Sequence, residues 1–256
     1  MSFTIRPKKH LGQHFLKDEN IAQKIIAGLP SDVENIIEVG PGMGILTKYL
    51  IGLPGKNCYF IDMDKESVDY LRERFPGQSE RIIQGDFLRF QPETVFSGDF
   101  AVIGNFPYNI SSQILFKVLE YRDEITTVVG MVQKEVAERL ASGPGTKKYG
   151  ILSVLLQAYY RIEYLFTVNE TVFIPPPRVK SAVIRLRRND VISLDCDEGL
   201  FFRVVKTAFN QRRKTLRNSL RGFHIDYERG DIRHLAGKRA EELGVEEFVM
   251  LTRLAV

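Results

Sequence analysis

The spacing of apolar residues alternates along the chain between a helical period and the short runs that are typical of buried strands. Over 18–29 apolar residues recur every three or four positions behind Asp18, a suitable N-cap, which predicts an amphipathic helix. The predicted strands that follow are 36–39, 58–61, 81–83, 100–103 and 127–131. The predicted helices among them and directly after them are 45–51, 65–75, 112–119 and 134–141.

This alternation predicts an α/β fold with a parallel, doubly wound sheet, in which ligands bind at the carboxyl ends of the strands. The remaining predicted elements are a helix over 151–160 and strands over 164–168 and 182–186. The three prolines at 175–177 must be extended, because proline cannot continue a helix interior. Beyond about residue 190 the pattern is helical. We therefore expect two domains, a larger one over 1–190 and a small helical one over 191–256.

Composition limits the class of protein. The chain has 256 residues, of which 44% are hydrophobic and 27% charged, as in ordinary globular proteins. No apolar run approaches the ~20 residues of a membrane span, and no apolar run follows the cationic amino terminus to make it a secretory signal. Cys58 and Cys196 are too few for a disulfide framework and too far apart for a metal motif. We expect a cytoplasmic protein with no metal and no membrane partner.

The cations are unevenly distributed, although the net charge is only +4. The segments 1–17, 178–188 and 199–225 contain lysine and arginine but no acidic residue. One such segment is typical of a solvated helix face. Three in one chain favour a polyanionic partner, because each cation that neutralises a phosphate releases a condensed counterion.

A glycine-rich turn follows the first predicted strand. Residues 38–47 read Glu-Val-Gly-Pro-Gly-Met-Gly-Ile-Leu-Thr, and glycines at such a turn permit positive φ and let a ligand approach the backbone closely. A dinucleotide fingerprint would need its third glycine where Ile45 stands, which disfavours a nicotinamide-dependent oxidoreductase. The spacing resembles motif I of class I methyltransferases, in which Gly40 and Gly42 would hold S-adenosylmethionine.

Acidic residues follow the next two predicted strands. Asp62 lies 22 residues after Gly40 and can accept hydrogen bonds from both ribose hydroxyls of a nucleoside cofactor. Asp64 is the better N-cap for the following helix. Asp86, after the third strand, can accept a hydrogen bond from the adenine amine of the cofactor, and helix capping is an equal alternative for it.

The tetrapeptide Asn105-Phe106-Pro107-Tyr108 follows the fourth predicted strand. The amine of adenine is a poor nucleophile, because its nitrogen lone pair is delocalised into the ring. The side-chain oxygen of Asn105 and the backbone carbonyl of Pro107 can accept its two hydrogens and free the lone pair, while Tyr108 can stack on the base. The alternative is a turn with aromatic residues packed on the sheet edge, which its place behind a cofactor motif disfavours.

Seven runs of residues together resemble the bacterial small-subunit ribosomal RNA adenine dimethyltransferases, the KsgA family. The runs are 8–16, 38–47, 85–86, 105–111, 149–154, 175–183 and 209–217. They extend over nearly the whole chain, and the last is more specific than the cofactor motif common to class I methyltransferases. The resemblance implies a class I methyltransferase (Rossmann-like) sheet with a small C-terminal helical domain, and S-adenosylmethionine as methyl donor.

The resemblance also implies roles for particular residues. The cofactor contacts that it carries over are His14, Leu16, Gly40, Asp62, Asp86 and Asn105. The family often has asparagine in place of His14 and glutamate in place of Asp62, and it has leucine in place of Phe106. Phe173 is placed like an aromatic residue that closes over the far face of the target base, with core packing an equal alternative.

The implied substrate is a pair of adjacent adenines in the 3′-terminal hairpin of small-subunit (16S) ribosomal RNA, each converted to its dimethylated form. An adenine in a structured loop must be splayed out to reach the sheet crevice. We expect the RNA backbone to bind the cationic run of the helical domain, namely Arg212, Arg213, Lys214, Arg217 and Arg221. The implied partner is the 30S subunit precursor, and we expect a monomer.

Two alternatives stay open. A related family methylates large-subunit ribosomal RNA, and the run at 209–217 argues against it. A non-catalytic assembly factor would bind immature small subunits through the same cationic face. Such a binder would not need the tetrapeptide at 105–108, which favours catalysis.

Overall fold

The computed structural model describes residues 5–228 and 232–255, which form a seven-stranded sheet, a two-stranded ribbon and helices. The strands are β1 (Phe15–Leu16), β2 (Asn35–Val39), β3 (Asn57–Asp62), β4 (Ile82–Gln84), β5 (Phe100–Asn105), β6 (Ile125–Gln133), β7 (Tyr160–Val168), β8 (Phe173–Ile174) and β9 (Ser181–Arg188). The α-helices are α1 (Glu19–Ile26), α2 (Thr47–Ile51), α3 (Lys65–Arg74), α4 (Ser111–Glu120), α5 (Lys134–Ala141), α6 (Ile151–Gln157), α7 (Glu198–Asn210), α8 (Leu216–Ser219) and α9 (Val245–Arg253). Short 3-10 helices are Lys9–Leu11, Pro76–Arg81, Phe87–Arg89, Pro92–Thr94, Glu170–Val172, Arg221–Phe223, Arg233–Leu235 and Ala240–Glu242.

The large sheet has the order β4-β3-β2-β5-β6-β9-β7, and β1 pairs with β8 in the separate ribbon. Strands β2 to β6 run parallel to their neighbours, whereas β9 runs antiparallel to β6. The chain leaves β2 toward β3 on one side and later returns to β5 on the other side. The carboxyl ends of β2 and β5 therefore flank a topological switch point, where doubly wound sheets bind their ligands.

The local signals in the sequence explain why the elements begin where they do. The Asp18 carboxylate accepts the backbone N–H of Ile21 at 3.0 Å, which confirms it as the N-cap of α1. Asp64 caps α3 in the same manner, accepting from Glu66. The parallel strands are buried on both faces, as their continuous apolar runs predict, and Ile36 of β2 is fully buried.

Three local predictions differ from the structure. The helix predicted over 151–160 ends at Gln157, and Tyr160 instead begins β7. The third strand is displaced by one residue, to Ile82–Gln84. The β1–β8 ribbon was not predicted, because strands of two residues carry no periodicity and are defined only by their long-range pairing.

The chain divides into two compact units. The first runs to Ala137 and resumes over Glu163–Arg188, and the second comprises Glu138–Ile162 and the chain from Asn189 onward. The second unit thus includes the segment Glu138–Ile162, which the domain prediction from the sequence places in the larger domain, so the boundary near residue 190 stays a prediction. In the part of the chain that the structure describes, no helix combines the length and apolarity needed to span a bilayer.

Candidate active site

The glycine-rich turn after β2 forms one wall of a cleft. Gly40, Gly42 and Gly44 have φ of 69°, 54° and 76°, a region that L side chains rarely adopt. A Cβ on Gly42 would lie 2.8 Å from the ring of Phe15, so this glycine is also required by packing. A Cβ on Gly40 would meet only Pro107, at 3.9 Å, which leaves its backbone open to the cleft.

Asp62, at the end of β3, lies beside this turn. Its carboxylate accepts the backbone N–H of Gly42 at 3.1 Å and of Asp64 at 2.9 Å. Burial raises the pKa of Asp62 to about 6, although both hydrogen bonds oppose the rise. Each carboxylate oxygen keeps a lone pair beyond the one already used. Asp62 can therefore accept hydroxyl donors from a ligand, and its ribose role stays a prediction.

The cleft contains about 610 Å³ of empty space, open solvent included. Four segments line it: the one that leads into β1, the turn after β2, the end of β3 and the turn after β5. The lining residues are Leu11, Gly12, Gln13, His14, Phe15, Gly40, Gly42, Asp62, Met63, Asn105, Phe106, Pro107, Tyr108, Asn109 and Ile110. Glycine backbone at one wall and a buried carboxylate beside it are the features that a nucleoside cofactor with a cationic methionine part requires, so the residues present fit S-adenosylmethionine.

Asn105, the last residue of β5, is held in a single orientation. Its Nδ2 donates to the main-chain carbonyl of His14 at 2.7 Å. A carbonyl oxygen can only accept, so the amide nitrogen must face His14, and Oδ1 is the side-chain acceptor that remains. The Pro107 carbonyl accepts from Ile110 N–H at 3.1 Å and keeps its second lone pair. Two acceptor oxygens thus belong to the turn that lines the cleft.

Tyr108 is held by two contacts, one at its hydroxyl and one on a face of its ring. Its hydroxyl is hydrogen-bonded to the hydroxyl of Ser181, and burial raises the pKa of Tyr108. The His14 ring stacks on the Tyr108 ring, with centroids 5.4 Å apart and planes inclined by 30°. His14 Nδ1 lies 2.8 Å from the Pro175 carbonyl oxygen, to which it donates. The sequence indicated His14 and Tyr108 separately, but not that they touch.

Phe106 fills a groove made by two paired glycines. Gly104 of β5 and Gly130 of β6 are opposite each other in the sheet. A Cβ on Gly130 would lie 2.4 Å from the Phe106 ring, and one on Gly104 would lie 2.4 Å from the Val39 carbonyl. The larger ring that replaces leucine here is therefore accommodated by the absence of a side chain at position 130.

Two acidic residues that the sequence did not weigh as site residues are buried close in the chain to residues that line the cleft. Glu38 is 1% exposed and accepts a hydrogen bond of 2.6 Å from the Thr47 hydroxyl. Burial raises the pKa of Glu38 to about 8, so it is largely protonated at neutral pH. Asp64 accepts from Lys8 at 2.6 Å and from Gln13 at 3.1 Å, and these bonds attach the amino-terminal segment to α3. The motif spacing indicates Glu38, whereas nothing local indicates the Lys8–Asp64 pair.

Three residues that were predicted to contact the cofactor or the target base do not line the cleft. Asp86 accepts the backbone N–H of Leu88 at 2.9 Å, so its carboxylate caps a 3-10 helix, the alternative that the sequence left open. Leu16 is buried and pairs with Phe173 across the ribbon. Phe173 is 1% exposed in the main hydrophobic core, which is the core-packing alternative. Contact of these residues with cofactor or base stays a prediction.

The cations of the second unit separate into two groups. Arg212 donates to the carbonyl of Lys147 at 2.8 Å and pairs with Glu241 at 3.3 Å, so it is committed to internal contacts. Arg217 pairs with Glu228 at 3.1 Å, but both side chains are more than half exposed, and such pairs contribute only ~0–1 kcal/mol. Arg213 and Lys214 are exposed, and among the described residues neither side chain has a hydrogen-bond or ion-pair partner.

Lys214 also lines a polar surface cleft of about 860 Å³, open solvent included. Its other lining residues are Gln211, Asn218, Ser219, Arg221 and Gly222. Two cations and two side-chain amides in one cleft are suited to an anionic, hydrogen-bonding ligand. Within the described ranges, no three His, Cys, Asp or Glu side chains converge as metal ligands.

Comparison with known proteins finds similar chains over nearly the whole length of this one. Residues 5–251 match the profile of a family described as "Ribosomal RNA adenine dimethylase". The chain is 54% identical over 252 residues to the ribosomal RNA small subunit methyltransferase A of Cytophaga hutchinsonii, covering 98% of this chain and 97% of that protein. It is 55% identical to the protein of the same name from Parabacteroides distasonis, with 98% and 94% covered.

Solved structures show the same fold. A dimethyladenosine transferase from Plasmodium falciparum superposes with a TM-score of 0.77 at 24% identity, with 93% of this chain and 96% of that chain covered. The 23S rRNA methyltransferase ErmE superposes with a TM-score of 0.72 at 26% identity, with 94% and 99% covered. The predicted class I methyltransferase fold is thereby confirmed.

Proposed function

The chain belongs to the ribosomal RNA adenine dimethylase family, whose members use S-adenosylmethionine, and we propose that it dimethylates two adjacent adenines of small-subunit ribosomal RNA. The targets are the exocyclic amines in the 3′-terminal hairpin. The observation that carries the proposal is the orientation of Asn105, whose Oδ1 is left to accept hydrogen bonds in a cleft that also contains Gly40 and Asp62.

The two acceptors define the chemistry. The extruded adenine donates its amine hydrogens to Asn105 Oδ1 and to the Pro107 carbonyl, which draws the nitrogen toward tetrahedral geometry and exposes its lone pair. When bound, S-adenosylmethionine would supply an electrophilic methyl group on a sulfonium, which the amine nitrogen would take up as the C–S bond broke and a neutral thioether left. The methylated amine then loses a proton to solvent. The protein supplies mainly proximity, in-line orientation and electrostatic stabilisation.

The cofactor would lie along the glycine turn. Gly40 and Gly42 would allow close backbone approach, Asp62 would accept from the ribose hydroxyls, and Asp86 would accept from the adenine amine once it is released from Leu88. His14 and Leu16 would border the cofactor from the amino-terminal segment. The open backbone of Gly40 and the buried carboxylate of Asp62 support this arrangement.

The small subunit is favoured over the large subunit as the substrate. The small-subunit methyltransferases share 54–55% identity with this chain over nearly their whole length, whereas ErmE shares 26%.

The substrate would be a precursor of the 30S subunit in the cytoplasm, and the protein would act on it as a monomer. Arg213, Lys214 and Arg221 would hold the RNA backbone, and Arg217 would join them by exchanging Glu228 for a phosphate.

The test is a labelled methyl transfer. Small subunits that lack the modification are incubated with the protein and methyl-labelled S-adenosylmethionine, and the nucleosides are then separated. We expect the label in dimethyladenosine of small-subunit RNA. Large subunits treated in parallel should stay unlabelled. Label confined to large subunits would overturn the substrate assignment, and tight subunit binding without any transfer would favour the assembly factor.

A further inference from the structure

The Tyr108 ring is constrained by two contacts that act on different torsions. Its hydroxyl is bonded to Ser181 Oγ, at the start of β9, and its face lies against His14. Ser181 is fully buried. In the antiparallel pair of β6 and β9 it lies opposite Gln133 of β6. His14 is held in turn by the Pro175 carbonyl. Both partners of Tyr108 are thus themselves fixed.

The two contacts restrict the ring in complementary ways. The hydroxyl lies on the Cβ–Cγ axis of the ring, so a hydrogen bond to it stops the ring from swinging about χ1 but not from turning about χ2. Turning about χ2 would separate the ring from His14, so the stack restricts that second torsion. Together the contacts define both the position and the inclination of the ring plane. Such preorganisation removes the cost of ordering the side chain when a base stacks on it.

We propose that Ser181 is a positioning residue for methyl transfer, which together with His14 holds the Tyr108 ring in the plane on which the target adenine stacks. The inference rests on the proposed function, because it needs an adenine in the cleft. Ser181 acts only through Tyr108, since its buried hydroxyl has no exposure to substrate. Phe173 is buried in the core, so Tyr108 carries the stacking surface in the described structure.

Loss of the Ser181 hydroxyl should slow the methyl-transfer step and leave the affinity for RNA nearly unchanged. RNA affinity depends mainly on phosphate contacts, which Ser181 does not make. In Ser181→Ala the Tyr108 ring swings, and a smaller fraction of bound adenines presents its amine to Asn105 and Pro107. We expect the single-turnover rate at saturating RNA and cofactor to fall about three- to tenfold, the factor for ordering one side chain, with an RNA dissociation constant within about twofold of wild type.

A double-mutant cycle with Tyr108→Phe tests whether Ser181 acts through the hydroxyl of Tyr108. Phenylalanine keeps the stacking ring but lacks the hydroxyl that Ser181 holds. If Ser181 acts through that hydroxyl, Ser181→Ala has no further effect on the rate in the Tyr108→Phe background. Equal losses in both backgrounds overturn the proposal. An unchanged rate in Ser181→Ala overturns it as well.

Control variants separate this effect from general destabilisation. Thr252→Val also removes a buried hydroxyl, one that bonds only within its own helix, to the Phe248 carbonyl. It should match Ser181→Ala in stability loss but keep the wild-type rate.

His14→Phe, which keeps a ring against Tyr108, should transfer methyl groups several-fold faster than His14→Ala, and equal rates would remove His14 from the proposal. Failure of wild-type protein to methylate would instead defeat the proposed function.

Discussion

The side-chain amide of Asn105 and the main-chain carbonyl of His14, 91 residues apart in the chain, are joined by a hydrogen bond of 2.7 Å. This bond decides which end of the amide faces the cleft. A side chain with oxygens at both ends could not donate to that carbonyl. The relationship makes the requirement for asparagine, rather than for any acceptor, testable.

Asn105→Ala should lower the single-turnover rate of methyl transfer by at least about 100-fold, the usual cost of losing one preorganised polar contact to the transition state. Asn105→Asp should lose a comparable factor, although it keeps an acceptor, because its carboxylate would face the His14 carbonyl. Filter binding should show RNA affinity near wild type in both variants. Wild-type turnover in Asn105→Ala would contradict the mechanism, and wild-type turnover in Asn105→Asp would show that the bond to His14 is dispensable.

The fit of Phe106 against Gly130 predicts a coupled pair of substitutions. Gly130→Ala places a Cβ 2.4 Å from the Phe106 ring and should lower the free energy of unfolding by about 1–3 kcal/mol. Adding Phe106→Leu should recover much of that loss. Gly104→Ala is the matched control, since its Cβ would meet the Val39 carbonyl and a smaller residue 106 cannot relieve that clash. Chemical denaturation of wild type, the three single variants and the two double variants with Phe106→Leu measures the coupling, and additive losses in the Gly130→Ala pair would contradict it.

The buried carboxyl group of Glu38 should make the free energy of unfolding depend on pH. Its pKa is raised from 4.5 in an exposed chain to about 8 in the fold. The folded protein therefore binds one more proton than the unfolded chain between these values, and the contribution of Glu38 to the free energy of unfolding falls as pH rises through that range. Above about pH 8 it falls no further.

Glu38→Gln keeps the acceptor for Thr47 but does not titrate. Its stability relative to wild type should rise by at least about 2 kcal/mol between about pH 5 and about pH 8, since a tenfold change in proton affinity is worth ~1.4 kcal/mol. Denaturant titrations at several pH values measure this difference. Thr47→Val removes the bond that favours the ionised form and should extend the decline to higher pH. A pH-independent difference between Glu38→Gln and wild type would contradict the burial argument.

The two groups of cations should have separable effects. Lys214→Gln and Arg221→Gln should each reduce the dependence of log affinity on log salt by about 0.7–0.9, as expected when one phosphate contact is lost. Arg212→Gln should leave the salt dependence unchanged and lower thermal stability instead, because it breaks the contacts to Lys147 and Glu241. RNA titrations at several salt concentrations, with melting curves of the same variants, decide between them. A reduced salt dependence in Arg212→Gln alone would reverse the assignment.

Much of the fold was predictable because its signals are local. Buried parallel strands appear as continuous apolar runs, and amphipathic helices as a period of three to four, so β2, β3, β5 and β6 and the N-caps Asp18 and Asp64 agree with the sequence prediction. The end of α6 was missed because a buried helix and a buried strand are both apolar at that boundary.

The candidate residues of the site followed from residue type and strand order, since a glycine that needs positive φ or an acid at a strand end is visible in the chain. The sequence did not indicate which other residues these side chains contact. The commitment of Arg212 to Glu241, the protonation of Glu38 and the placement of His14 between Pro175 and Tyr108 each depend on segments far apart in sequence. Charge and spacing identify a candidate residue, but burial and long-range contact determine whether its side chain is available.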